Sequence, residues 1–346
     1  MKTLANLQSR PVDIPLSATW LLTELAEMKG HQELFTRQSP QKFKTLREHA
    51  IIESAISSNR IEGVEIDRTR IKDVVLGKAH LRDRNEEEVR NYQRALAWIH
   101  RDFARISVTS ATIRKLHNIC KSGVDDAGRF KAKDGDIIET YPDGTRRVRF
   151  RTVSAAETPG ATERLADLWT DLTRERRVPA LILLAAFNLD FLCIHPFRDD
   201  NGRVSRLLLL LQLYHLGYEV GRYVSLERVI ENYKVRYYET LEISSQQWHE
   251  GRHDPWAYIG YLLFILREAY RDFETRVGQL ASPKGAKTEL ILASIDATPG
   301  KFTLVDIEDR CPGVSRDMVR KVLKDLKKAG EVRCLGRGPG AFWEKR

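Results

Sequence analysis

Cysteine is scarce in this chain of 346 residues: there are four, at positions 120, 193, 311 and 334, with no CxxC pair and no metal-ligand spacing to histidine. That excludes a zinc module and a disulfide scaffold, and it leads us to expect a reducing, cytoplasmic compartment. Long apolar runs are lacking too. The longest, 181–194 and 207–213, fall short of a membrane span, and the first carries Asn188 and Asp190. The opening stretch MKTLANLQSRPVDIP has no apolar segment of the kind a secretory signal needs. Internal repeats and low-complexity tracts are absent, so the sequence reads as ordinary globular chain. What it does have is charge: 57 Lys and Arg against 48 Asp and Glu, a net +9. With 42% apolar and 30% charged residues it can bury a sizeable core, and its length suits two or three domains.

Helical periodicity dominates. Between Gln41 and Val75 the apolar residues Ile51, Ile52, Ala55, Ile56 and Ile61 recur at three- and four-residue spacings, which predicts one or two amphipathic helices. Further helices are predicted over 85–103, Thr109–Cys120 with Thr109 or Ser110 as N-cap, 161–176, 179–194, 202–217, 225–246 and 254–280. Only 128–153 has a different texture. Tyr141-Pro-Asp-Gly-Thr145 predicts a turn between strands Asp136–Glu139 and Arg147–Phe150, with Gly144 at positive φ. Residues 281–286, Ala-Ser-Pro-Lys-Gly-Ala, read as a linker. Beyond it the order is helix 287–297, helix 303–310, a Cys311-Pro-Gly-Val314 turn, helix 315–329 and two short strands around Gly336–Gly340, which is a helix-turn-helix with a wing.

The segment with chemistry in it is His195-Pro-Phe-Arg-Asp-Asp-Asn-Gly-Arg-Val-Ser-Arg206, set between two apolar helices. Pro196 and Gly202 break a continuous helix, so a tight loop should end at a helix N-terminus near Gly202. Such a terminus aims N–H groups and a positive dipole end at an anion. Arg203 and Arg206, three apart, share a face and suit a triphosphate. Asp199 supplies the hard oxygen that phosphate-bound Mg²⁺ takes, and His195 is the residue able to accept a proton at neutral pH.

This segment resembles the signature of the Fic family, His-x-Phe-x-Asp/Glu-Gly-Asn-Gly/Lys-Arg-x-x-Arg. His195, Phe197, Asp199, Asn201, Gly202, Arg203 and Arg206 match, and Asp200 departs from the usual glycine. The resemblance extends over roughly Gln41 to Gln279. It implies a mainly α fold, a Fic-type helical domain with a β-hairpin flap. With the C-terminal part, the expected layout is an N-terminal helical region (1–105), a Fic core (106–280) and a small α+β winged-helix domain (287–346).

The resemblance also implies an activity, transfer of AMP from Mg-ATP to a Ser, Thr or Tyr hydroxyl of a protein, the chain itself included. His195 would be the base and Asp199 the magnesium ligand. Asn201, Gly202, Arg203 and Arg206, with Asp200 among them, would form the nucleotide site, and Phe197 would pack inward. Aspartate tolerates left-handed φ better than most residues. Its carboxylate repels a triphosphate unless it turns outward or is recruited to a metal, so Asp200 leaves either a working site or a weakened one. Upstream, Ser58, Glu62 and Gly63 resemble the Fic inhibitory motif, which implies an inhibitory helix over about 41–63 and a pairing of Glu62 with Arg206 that blocks the γ-phosphate. In some relatives the same glutamate helps remove AMP. The flap position implies a docking strand for the target, against the plainer reading of a hairpin that covers the core. Tyr237 and Tyr238 either flank the base or belong to the helix core.

The last 63 residues carry 14 Lys and Arg against 9 Asp and Glu, which leaves +5. On helix 315–329, Val319, Leu323 and Leu326 form the core stripe, while Arg316, Arg320, Lys321, Lys324 and Lys327 lie mostly elsewhere, with Arg337 at the wing tip. That pattern fits DNA in the major groove, and equally a docking module between copies of the chain. The expected partners are therefore a target protein, DNA or a second copy, and no membrane. The competing function is a DNA-binding regulator with a nucleotide-sensing or weakened Fic domain.

Overall fold

Helices carry most of the chain, as its three- and four-residue apolar spacing requires. The structure, a computed structural model, describes all residues except 11, 12, 39, 141, 142, 281–285, 299, 312, 313, 337, 339 and 346. Helices α1 (Lys2–Ser9) and α2 (Leu16–Gln38) precede α3 (Pro40–Ile61) and the short α4 (Ile71–Val75). Helix α5 (Arg84–Asp102) starts where the Asp83 carboxylate accepts the Glu86 N–H, and α6 (Ser110–Cys120) where the Thr109 hydroxyl accepts from Thr112.

Strands β1 (Asp136–Thr140) and β2 (Arg146–Arg151) pair antiparallel, with Ile138 opposite Val148. Tyr141 and Pro142 of the predicted turn lie outside the described residues. Gly144 takes the expected positive φ, +82°. Asp143 Oδ1 accepts the Thr145 N–H at 2.9 Å, which closes the turn.

Five helices follow the hairpin in the same body: α7 (Thr158–Glu175), α8 (Ala180–Ile194), α9 (Asn201–His215), α10 (Leu226–Asn232) and α11 (Lys234–Ser245). The long α12 (Trp256–Leu280) closes it. The single helix predicted over 225–246 is in fact two, because the backbone leaves helical geometry at Tyr233.

Helix α8 lies in the core, with every residue from Leu181 to Ile194 buried. Its two polar residues are therefore fully engaged, as burial demands. Asn188 donates to Ser205 O at 2.9 Å and accepts from the Tyr258 hydroxyl at 2.7 Å. Asp190 caps α1, accepting the N–H groups of Thr3 and Leu4, each at 2.9 Å, and the Trp248 Nε1–H at 2.6 Å. Helix α9 packs on α8 and is buried along most of its length, so the loop between them rests on a rigid base.

The predicted linker falls on residues outside the description apart from Ala286. Beyond it come α13 (Ala286–Asp296), β3 (Lys301–Thr303), α14 (Leu304–Arg310), α15 (Arg316–Ala329), β4 (Val332–Leu335) and β5 (Phe342–Lys345). Pro312, Gly313 and Arg337 of the predicted turn and wing tip also lie outside the described residues. The wing has three strands where two were predicted: β3 joins β5 on the side opposite β4, pairing Phe302 with Trp343. Ile291, Phe302, Ile307, Val319 and Leu323 make a core separate from the larger one. Helix α13 lies against α12 and α3, and an Arg68–Asp309 ion pair of 2.8 Å joins the two parts.

Candidate active site at the loop between α8 and α9

Helix α8 ends at His195, which adopts a left-handed backbone at φ +52°. Its Nδ1 lies 3.3 Å from Leu192 O. A carbonyl oxygen only accepts, so Nδ1 carries the proton and Nε2 keeps its lone pair. Burial, with a smaller push from Lys131, outweighs the bond to Leu192 and lowers the imidazole pKa to about 4. His195 is therefore neutral at pH 7, with the Nε2 lone pair free of a proton.

The loop is clasped from within. Asn201 Oδ1 accepts the Phe197 N–H at 3.0 Å, and its Nδ2 donates to Phe197 O at 2.8 Å. Phe197 is buried and stacks on His117, centroids 3.9 Å apart and rings 2° from parallel. The Lys131 backbone N–H donates to Pro196 O at 3.0 Å, while its Nζ donates to Ile194 O at 3.1 Å and to Thr152 Oγ1 at 2.7 Å. Burial, against the pull of Asp134 and Asp136, lowers the Lys131 ammonium to about 8.

Asp200, the residue where the signature has glycine, takes the left-handed conformation at φ +60°. Its carboxylate turns inward. Oδ1 accepts from Arg203 Nη1 at 2.6 Å, and Arg203 Nη2 donates to Glu88 Oε2 at 2.7 Å. Burial raises the Asp200 pKa against the opposing pull of Arg203 and Lys121. Asp199 is the exposed carboxylate of the loop, its side chain 68% accessible, and Lys121 Nζ donates to its Oδ2 at 2.7 Å. Partial desolvation by the surrounding loop pushes Asp199 up, but the Lys121 bond and the Asp200 N–H outweigh it and hold the group below its ordinary value.

The end of α3 reaches the same place. Arg206 is buried and donates through Nε to Ser58 Oγ at 2.9 Å, and through Nη2 to Ser58 O at 3.0 Å and Glu62 Oε1 at 2.8 Å. Burial opposes its charge, yet Glu62 and neighbouring tyrosines raise its pKa. Gly202 makes room for this seating, since a Cβ there would stand 2.3 Å from Glu62 Oε1. Gly63, at φ +81°, ends the helix just beyond. The structure thus gathers His195, Asp199, Asp200, Gly202, Arg203, Arg206, Ser58 and Glu62 around one loop, with the Asn201 side chain spent on the loop itself.

Residues 107–213 match the Fic/DOC family. The chain carries a Fic/DOC-family domain. Members of this family are commonly AMP transferases or related transferases. No curated protein sequence matches the chain. Among solved structures, its fold is similar to a Fic family protein from Desulfovibrio desulfuricans G20, at 20% identity and TM-score 0.65, with 98% of each chain covered. It is similar to a Fic domain containing signaling protein from Bacteroides thetaiotaomicron VPI-5482, at 18% identity and TM-score 0.62, over 76% of this chain and 99% of that one. It is also similar to Fic-1 (aa134 - 508) from C. elegans, at 16% identity and TM-score 0.57, over 77% of this chain and 74% of that one. The matched Fic/DOC region holds α6, the hairpin, and the loop from His195 to Arg206, whereas Ser58, Glu62 and Gly63 lie outside it.

Around the Fic loop, several contacts involve residues the sequence reading passed over: Lys121 on Asp199, Glu88 on Arg203, His117 under Phe197 and Lys131 beneath His195. Glu88 sits in a run of charges and Lys121 at the end of α6, so spacing along the chain says nothing of where they reach. Tyr237 is a core residue, packed with Tyr258 and Tyr261 and pushed by burial to about 12. Tyr238 joins the hairpin to α11, its carbonyl accepting from Arg149 and its ring facing that guanidinium at 5.5 Å.

Proposed function

We propose that this Fic protein transfers AMP from Mg-ATP to a Ser, Thr or Tyr hydroxyl of a target protein, and that Glu62 restrains the reaction. One observation carries the reading. Arg203 Nε and Arg206 Nη1 are buried N–H donors with no acceptor among the described residues, and both belong to the arginines at the N-terminal turns of α9. Buried donors left unmatched are costly, and an anion over that turn would satisfy them.

The donor set fits magnesium shared with phosphate. Asp199 is an accessible carboxylate of the kind that binds Mg²⁺ together with phosphate oxygens. No group of three His, Cys, Asp or Glu among the described residues could hold a metal by itself. Bound there, the ion would supply positive charge to the polyphosphate. Glu62, Glu88, Asp199 and Asp200 face Lys121, Arg203 and Arg206, four carboxylates against three cations, so a polyanion needs added positive charge or the departure of Glu62.

In this reading His195 Nε2 takes the proton of the target hydroxyl. The freed oxygen bonds to the α-phosphorus, the bond from that phosphorus to the bridging oxygen breaks, and pyrophosphate leaves. Arg206 can serve the γ-phosphate only after it releases Glu62, because both compete for one guanidinium. Beside the site, the hairpin presents Ile138 and Val148, opposite one another and 52% and 49% exposed, to which a target segment could add as a strand.

The test is mass analysis of the Glu62→Gly protein after incubation with Mg-ATP, alone and with lysate. One AMP of added mass on itself or a lysate protein, absent with His195→Ala, is the expected result. Absence of any adduct refutes the reading.

A second activity is favoured for the C-terminal part, binding of duplex DNA. Helix α15 packs through Val319, Val322 and Leu323, and its outer face exposes Arg320, Lys321, Lys324, Lys327 and Lys328. The helix carries six basic and two acidic residues, a balance suited to phosphate backbone.

A further inference from the structure

Asp200 is the one signature position at which this chain departs from the Fic pattern, and its side chain is neither turned outward nor idle. Oδ1 binds Arg203, and Oδ2 lies 3.5 Å from Lys121 Nζ. The same ammonium reaches Asp199 Oδ2 at 2.7 Å. Lys121 projects from the C-terminal cap of α6, 78 residues before Asp199, and its side chain is only 10% exposed. Two successive carboxylates therefore face one lysine at the rim of the anion-binding turn, Asp199 through a hydrogen bond and Asp200 through a longer ion contact, and the more exposed of the two is the proposed cation ligand.

We propose that Lys121 is a polyphosphate-binding residue of this site, a further cation stationed on Asp199 and held in position by Asp200. The proposal rests on the nucleotide reading given above. Charge supports it: without Lys121, four carboxylates would face only two cations, and a polyphosphate would meet a net repulsive surface. Side-chain mechanics support it too. Arg203 is clasped on both sides by Asp200 and Glu88, whereas lysine is a point charge on a flexible four-carbon stem with three donors. Lys121 can exchange a carboxylate oxygen for a phosphate oxygen without backbone movement. The buried Asp200 then acts as a positioning residue, keeping the ammonium beside the loop once Asp199 engages a metal.

The test uses the full chain in the Glu62→Gly background, comparing the parent with Lys121→Met, Lys121→Arg and Asp200→Gly. Three quantities are read: affinity for a fluorescent ATP analogue in EDTA, Mn²⁺ affinity without nucleotide by electron paramagnetic resonance, and the melting midpoint. Lys121→Met should lose about tenfold in metal-free nucleotide affinity, the worth of one charge-assisted hydrogen bond. It should also bind Mn²⁺ more tightly, because Asp199 loses a competing cation. Lys121→Arg should restore nucleotide affinity at least in part, and Asp200→Gly, which removes a negative charge while Asp199 still holds Lys121, should bind metal-free nucleotide at least as well as the parent. If the Lys121→Met protein binds metal-free nucleotide as the parent does, whatever its melting midpoint, the assignment is overturned and the nucleotide reading stands. If the parent binds no nucleotide, both fall.

Discussion

Replacing Gly202 by alanine measures how tightly Glu62 is seated on α9. Gly202 is the second residue of that helix and does not have a left-handed backbone, so the chain accepts a side chain there. Removing a helical glycine is worth up to about 1 kcal/mol. The new Cβ would stand 2.3 Å from Glu62 Oε1 and 3.2 Å from its carboxyl carbon, far too close. What gives way is the tip of a flexible side chain that is 32% exposed, so Glu62 swings out and the backbone stays. Arg206 keeps both bonds to Ser58 and loses the one to Glu62. A hydrogen bond to a charged group contributes about 1.5–3 kcal/mol, and solvent screening of a partly exposed partner favours the lower end. After the helix gain, the net loss is about 0.5–1.5 kcal/mol, or roughly 1–5 °C in melting midpoint. In a Glu62→Gly background the clash with Glu62 disappears and only a 3.1 Å approach to Arg206 Nη1 remains, so the same substitution should cost clearly less than in the parent. Thermal unfolding of the four proteins closes a double-mutant cycle. Equal destabilisation by Gly202→Ala in both backgrounds would refute the seating argument.

Two further outcomes follow from the buried histidines and the C-terminal helix. Burial is the largest cause that lowers His49, His117 and His195 to about 4 and His100 to about 3, so below pH 6.5 the unfolded chain binds protons that the folded one refuses. Stability should be full above that value and fall toward pH 4, by about 1.4 kcal/mol per pH unit for each histidine; urea midpoints unchanged between pH 7.5 and 5 would contradict this. On labelled duplex, the full chain should bind more weakly as salt rises from about 50 to 200 mM, and Lys321, Lys324 and Lys328→Glu together should abolish retention. Duplex binding indifferent to that triple change would reject α15 as the contact.

Much of this architecture can be read in one dimension because its signals are local. Pro196 and Gly202 mark the loop, Thr109 caps α6 where a hydroxyl is available, and the Pro-Asp-Gly turn announces the hairpin. The first helices give less: the apolar residues of α2 scatter round its axis and offer no single stripe. Strand β3 is three residues long and is a strand only because β5 comes alongside. The division of 225–246 at Tyr233 likewise depends on packing. Within the site, the signature residues are visible as spacing, whereas Glu88 and Lys121 act across 115 and 78 residues and leave no periodic trace. The fate of Asp200 could not be read at all, since inward and outward rotamers look the same in a sequence.

The helix that leads into Glu62 is no detachable tail. Phe43, Leu46, Ile52, Ala55 and Ile61 place it in the main core, and Ser54 donates to the buried Glu227 at 2.6 Å. Truncating the chain ahead of Glu62 would therefore remove part of the protein's own interior. A regulator acting through Glu62, as proposed above, faces the same limit. It has only the last turn to work on, where Glu62 and Gly63 are exposed and space is open around the glycine. A wedge of a few atoms at that turn, with no domain movement, would be enough to change the state of the loop.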